Sequence, residues 1–230
     1  MKERIRNLSG TAELLLVLLI AFGYTVPVSL AALLSPEALA HQASPPITNG
    51  HLQGIVLYEL VILAILALFL STRGWTLARL GVRPTLRDTG QGVGIFVGYY
   101  AFYYVLVMAL AVVWPTFARV AMSTHLVGTD LEWPSVVAVS AINPVFEEVF
   151  VCAYVITALK DRFGVTTAVN VSAGIRLFYH FYQGAVGVVG IAPLALLFAY
   201  WFARTGRLWP LIVAHALADF TALAASIGSG

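Results

Sequence analysis

Five side chains in the second half of the chain have the types and spacing for acid–base hydrolysis. Glu147 and Glu148 are adjacent, in Asn143-Pro-Val-Phe-Glu-Glu-Val-Phe-Val-Cys152. His180 closes the run Arg176-Leu-Phe-Tyr-His180, and His215 stands four residues before Asp219. Residues four apart share one face of a helix, so Arg176 looks where His180 looks, and His215 where Asp219 looks. Two histidines with two or three carboxylates can hold and activate a water directly, or can ligate a divalent metal that does so. Adjacent residues on a helix diverge by about 100°, so one carboxylate of the Glu147–Glu148 pair can face a reaction centre while the other binds a structural partner. Other hydrolytic constellations lack their parts: the chain has no His-Glu-x-x-His, no Gly-x-Ser-x-Gly, and its single cysteine, Cys152, sits in apolar surroundings that disfavour the thiolate.

These residues are set in an unusual background. Of 230 residues, 60% are apolar and 10% charged, and mean hydropathy is +0.88. A soluble domain carries about 25% charged residues, so the composition points to an all-α polytopic membrane protein, one domain over 1–230. The net charge of +2 leaves no electrostatic footprint for nucleic acid, and one cysteine allows no disulfide within the chain. Seven apolar windows predict a bundle of about seven transmembrane helices: 12–34, 52–70, 92–114, 136–159, 164–183, 186–203 and 208–227. Eleven of the thirteen basic residues precede the first window or fall in alternate links. The positive-inside rule therefore puts the N-terminus in the cytoplasm. The first window reads as a retained signal-anchor, although Ala38-Leu39-Ala40 resembles a cleavage site. The basic link 71–90 reads equally as an interfacial segment or a solvated loop. Gly94 and Gly98 are spaced to seat a neighbouring helix, and Glu13 is expected to reach water at the cytoplasmic end of the first window.

A charge at mid-membrane needs a partner or a function. Glu59 stands alone in the second window and is assigned to packing or a water pocket rather than to chemistry. His180, flanked by Phe178, Tyr179, Phe181 and Tyr182, also fits an interfacial aromatic belt, and His215 with Asp219 fits a helix–helix hydrogen bond. Depth separates the candidates. At about 1.5 Å per residue, straight helices put Glu147 near mid-membrane, His180 about 6 Å from the outer edge and His215 about 10 Å from the inner edge.

The order and spacing of these residues resemble the CPBP family, the CAAX-protease and bacteriocin-processing intramembrane endopeptidases. The likeness runs over roughly 136–220. Glu147-Glu148 match the start of a Glu-Glu-x-x-x-Arg motif, His180 the end of Phe-x-x-x-His, and His215 with Asp219 the His-x-x-x-Asn/Asp motif. The resemblance implies that Glu147 is the general base, that His180 and His215 orient the water, and that residue 219 assists the oxyanion. It implies a protein or peptide substrate, lipidated in the CAAX branch, and a bacterial cytoplasmic membrane. In a zinc variant His180, His215 and Glu147 or Asp219 would be ligands. Two departures stand out. The motif arginine is Cys152 here and the motif phenylalanine is Arg176, so a cation has moved to the facing helix, where Glu148 is its expected partner. Asp219, if ionised, accepts hydrogen bonds and cannot donate to an oxyanion. Two other functions are compatible with the same residues: a proton- or ion-coupled transporter, and a non-catalytic membrane scaffold or immunity protein.

Overall fold

The computed structural model describes residues 8–34, 47–116 and 128–227. The basic N-terminal residues and Ala38–Ala40 lie outside them. Among the described residues the fold is a helical bundle whose β content is one parallel pair of two-residue strands, β1 (Ile47–Thr48) and β2 (Gly128–Thr129). The helices are α1 (Gly10–Phe22), α2 (Thr25–Leu34), α3 (Asn49–Thr72), α4 (Leu86–Val113), α5 (Trp133–Glu147), a π-helix (Glu148–Tyr154), α6 (Val155–Phe163), α7 (Val165–His180), a 3-10 turn (Phe181–Gln183), α8 (Gly184–Thr205) and α9 (Trp209–Ile227). Starts are capped as the sequence allows. Ser9, Thr48 and Thr85 accept from the backbone N–H three residues on, and Pro134 opens α5.

Five helices are long and apolar enough to cross a membrane: α3, α4, the continuous Trp133–Phe163, Gly187–Thr205 of α8, and α9. Two of the seven expected spans differ. The first window is broken, with α1 and the start of α2 meeting at 75°. The break is stabilised from α3, where the Tyr58 hydroxyl lies 3.2 and 3.1 Å from the carbonyls of Ile20 and Ala21. The window at 164–183 becomes α7, which has 16 residues and so is about 24 Å long, short of the roughly 30 Å of hydrocarbon. Conversely, Trp133–Phe163 runs 31 residues, about 46 Å. Side chains such as Leu57, Leu68, Val105 and Val112 are exposed, as lipid-facing surfaces require.

The α5–π–α6 rod is the centre. The π-helix is buried throughout, and the Val155 N–H reaches the Phe150 carbonyl five residues back. α3 runs parallel to α5, with Gln53 donating to Ser135 at 3.3 Å. α7 turns back at Gly164, whose φ of +82° suits glycine. It then packs antiparallel to the rod. α9 packs between α4 and α5, and α8 covers α7. Gly94 and Gly98 seat no helix, since a Cβ on either meets nothing within 4 Å. Gly92 has that role: a Cβ there would lie 2.6 Å from the Pro210 carbonyl oxygen of α9.

Glu13 also departs from expectation. It is buried, not solvated. Its Oε2 accepts from Arg73 Nε at 2.6 Å, and its Oε1 from Trp75 Nε1 at 2.8 Å and the Tyr154 hydroxyl at 3.1 Å. The 71–90 link is thereby anchored to the bundle, with Trp75 and Leu80 in the core, while Leu77 and Leu86 remain exposed. Through Tyr154, α1 grips the last residue of the π-helix. Glu13→Ala strands three donors, and we expect it to cost about 3 kcal/mol of stability, read as a lower unfolding temperature of the chain in lipid nanodiscs. Glu132→Ala, on an exposed cap without a side-chain bond, should leave that temperature unchanged.

Candidate active site

The π-helix begins at Glu148, directly after Glu147, and both carboxylates of the pair lie near one cation. Arg176 of α7 donates from Nη2 to Glu148 Oε2 at 2.7 Å, and its Nη1 lies 3.8 Å from Glu147 Oε2. Both residues keep α-helical backbone angles (φ −66° and ψ −48° at Glu147, φ −69° and ψ −34° at Glu148), so the pair still diverges and two different nitrogens of the guanidinium fork reach it. The turn also frees backbone groups, and the Ser172 hydroxyl of α7 donates to the Val151 carbonyl at 2.8 Å. The guanidinium lies 3.7 Å from Cys152 Sγ and 5.5 Å from the Phe198 ring centroid.

The two glutamates have different surroundings. Glu148 is 0% exposed, with Oε2 on Arg176 and Oε1 at 2.7 Å from His215 Nδ1. Glu147 retains 8% exposure and accepts a 2.6 Å hydrogen bond from the Tyr179 hydroxyl at Oε2, leaving Oε1 for another partner. Tyr179 is itself held by Phe22, stacked at 4.9 Å where α1 breaks.

His215 Nε2 lies 3.4 Å from Asp219 Oδ1, and Asn143 Nδ2 donates to Asp219 Oδ2 at 2.9 Å. Both ring nitrogens of His215 thus face carboxylate oxygens, which as carboxylates only accept, so this geometry is served by an N–H at each nitrogen. His180 differs. Its Nδ1 lies 2.8 Å from the Arg176 carbonyl oxygen. A carbonyl only accepts, so Nδ1 carries the hydrogen and a neutral ring keeps its lone pair on Nε2. Its ring packs on Tyr179 at 4.4 Å.

The depth conflict has a simple origin. α7 stops at His180, level with Glu147, and does not continue to an outer edge. The rod extends past the 159 boundary to Phe163, so the Glu148–His215 contact forms well inside it. The structure brings Glu147, Glu148, Arg176, His215 and Asp219 into one contact chain, with His180 beside it. Sequence reasoning missed two members. Tyr179, named only as one of the aromatics flanking His180, lies three residues from Arg176 and so shares its face. Asn143 lies four residues before Glu147, a spacing that could have marked it.

Glu147, Glu148 and His215 offer ligand atoms all within 4.8 Å of one another, the separation a metal ion asks for. Their chemistry fits an ion poorly. His215 Nδ1 and both oxygens of Glu148 are committed to each other and to Arg176, and Arg176 puts a fixed cation where the ion's charge would act. His180, part of the expected ligand set, is not in this trio.

A family model described as type II CAAX prenyl endopeptidase, Rce1-like, matches residues 129–221. This stretch holds every residue of the contact chain. No curated protein and no solved structure matches.

The relocated cation gives a rescue test. Arg176→Leu leaves Glu148 with His215 alone and should cost about 3–5 kcal/mol. Adding Cys152→Arg returns a guanidinium beside Glu148 and should recover most of the lost unfolding temperature. A double variant no more stable than the single one would show that the two positions do not exchange the cation. Glu148→Ala should destabilise as strongly as Arg176→Leu, while Glu147→Ala should leave the unfolding temperature within a few degrees.

Proposed function

From a chain that is CAAX-protease-like over residues 129–221, we propose an intramembrane endopeptidase in which Glu147 activates the attacking water. The family match supports a CAAX-type endopeptidase as a class. The choice of Glu147 rests on one observation: of two adjacent carboxylates, Glu148 is saturated by Arg176 and His215, and Glu147 keeps a free oxygen and some exposure.

In this reading Glu147 Oε1 takes a proton from water while His180 Nε2 accepts the other O–H and orients it. The hydroxide oxygen bonds to the peptide carbonyl carbon. The C–N bond then breaks, and the proton held by Glu147 passes to the departing amine. Tyr179 and Arg176 hold Glu147 in place. Asp219 is a positioning residue: with both oxygens accepting, it fixes His215 and turns the Asn143 amide into the site, where the second Nδ2–H is the donor for the oxyanion. The substrate is a membrane-held protein or peptide. Processing of a lipidated C-terminus is the form the CAAX branch suggests, in a bacterial cytoplasmic membrane. The crowded, cation-bearing donor set favours this water chemistry over zinc.

Terminal-peptide proteomics tests the function. Cells would express the native chain or Glu147→Ala at matched levels. We expect new protein termini only with the native chain, falling by about 10²-fold or more in the variant. Identical termini with both proteins folded would rule the peptidase out in favour of a scaffold or a transporter. A chelator added to membranes should leave Glu147-dependent cleavage unchanged, and its loss would restore the metal mechanism.

A further inference from the structure

An enzyme of this kind consumes water deep inside a bundle, and the facing surfaces of α3 and α5 carry unused polar atoms on the outer side of the site. The buried stripe of α3 is Leu52, Glu59, Leu66 and Leu70. Leu52 packs with Val136 and Val139 of α5, so the stripe faces α5. Glu59 lies on it, 3% exposed, and its Oε2 has no hydrogen-bond partner among the described residues. On α5, Ser140 is 5% exposed and its Oγ is likewise without a partner.

The two are level. α3 and α5 run parallel, and Gln53 contacts Ser135. Glu59 is six residues beyond Gln53 and Ser140 five beyond Ser135, so each lies about 8 Å deeper than that contact. A third polar group belongs to the same spot. Pro144 is inside the helix and has no N–H to give the Ser140 carbonyl four residues back. Buried polar atoms are satisfied in nearly all native structures, and a buried water commonly serves two to four such groups. Ser140, Asn143 and Glu147 fall at i, i+3 and i+7, on one face of the rod, so the spot leads to the site. Glu59 also interacts electrostatically with Glu147, Asp219 and His215.

We propose that Glu59 and Ser140 hold an internal water between α3 and α5, and that this water site supplies the molecule consumed at Glu147. The second half rests on the hydrolytic reading above; the water site itself does not. Asn143 and Asp219 stand between this position and Glu147, and Asp219 keeps 24% of its side chain exposed.

The test uses the full chain in lipid nanodiscs, as native protein, Glu59→Gln and Glu59→Leu. A structure at a resolution that shows ordered water should place one within hydrogen-bond distance of Glu59 Oε2 and Ser140 Oγ in the native protein, and none there in Glu59→Leu. A dry contact in the native protein would overturn the proposal. In cells, Glu59→Gln should keep Glu147-dependent termini within about twofold, and Glu59→Leu should reduce them about tenfold at equal abundance. Undiminished termini in a folded Glu59→Leu would overturn the supply role. Should Glu59→Leu fail to fold, Ser140→Ala carries the same comparison. Should the native chain generate no Glu147-dependent termini, the hydrolytic reading and the supply role fail together, and the ordered water alone decides the site.

Discussion

One buried guanidinium organises the functional half of the molecule. Arg176 is 2% exposed, within a bundle whose outer helices face lipid, and an unpaired cation there is among the costliest arrangements a protein can contain. Its pairing with Glu148 therefore tolerates little displacement. Because Glu148 also holds His215, and Asp219 links His215 to Asn143, one ionic requirement on α7 fixes the register of the π-helix, α9 and α5. The contact chain leaves the rod at Glu148 and returns to it at Asn143.

The irregular segments serve this chain of contacts. The π-turn starts at Glu148, directly after Glu147, and the two ends of the Arg176 fork reach the two carboxylates from α7. Such a turn loosens the backbone ladder, and Ser172 compensates at the Val151 carbonyl. α7 ends early because its last turn carries Tyr179 and His180 to the level of Glu147. The break between α1 and α2 places Phe22 between Phe146 and Tyr179. At the opposite end of the π-helix, Glu13 collects Arg73, Trp75 and Tyr154, so both ends of the irregular turn are clamped by side chains from elsewhere in the fold.

Chemically the arrangement separates two identical side chains by environment alone. Glu148 has every oxygen committed and is closed to solvent, while Glu147 keeps a free oxygen. That difference in pairing is what the proposed division of labour between them rests on. Asp219 likewise has both oxygens beside polar groups, the Asn143 amide at 2.9 Å and His215 Nε2 at 3.4 Å.

Much of this was legible in the chain. Composition and apolar windows establish a helical membrane bundle, because hydropathy and helix length are local quantities summed over neighbours. The motif residues stand out because ionisable groups are rare in such segments. The resemblance to the family motif draws attention to Cys152 and Arg176, pairing rules name Glu148 as the partner of Arg176, and that contact is present. What local reasoning could not reach were features set by partners distant in sequence. Glu13 looked solvated because its position near a span end says nothing of Trp75 and Tyr154 docking on it. Glu59 looked isolated because only the packing of α3 on α5 buries the stripe on which it lies. The shortened α7, the π-turn and the different surroundings of Glu147 and Glu148 each depend on how a buried charge is balanced across helices. That balance exists only once the helices are packed.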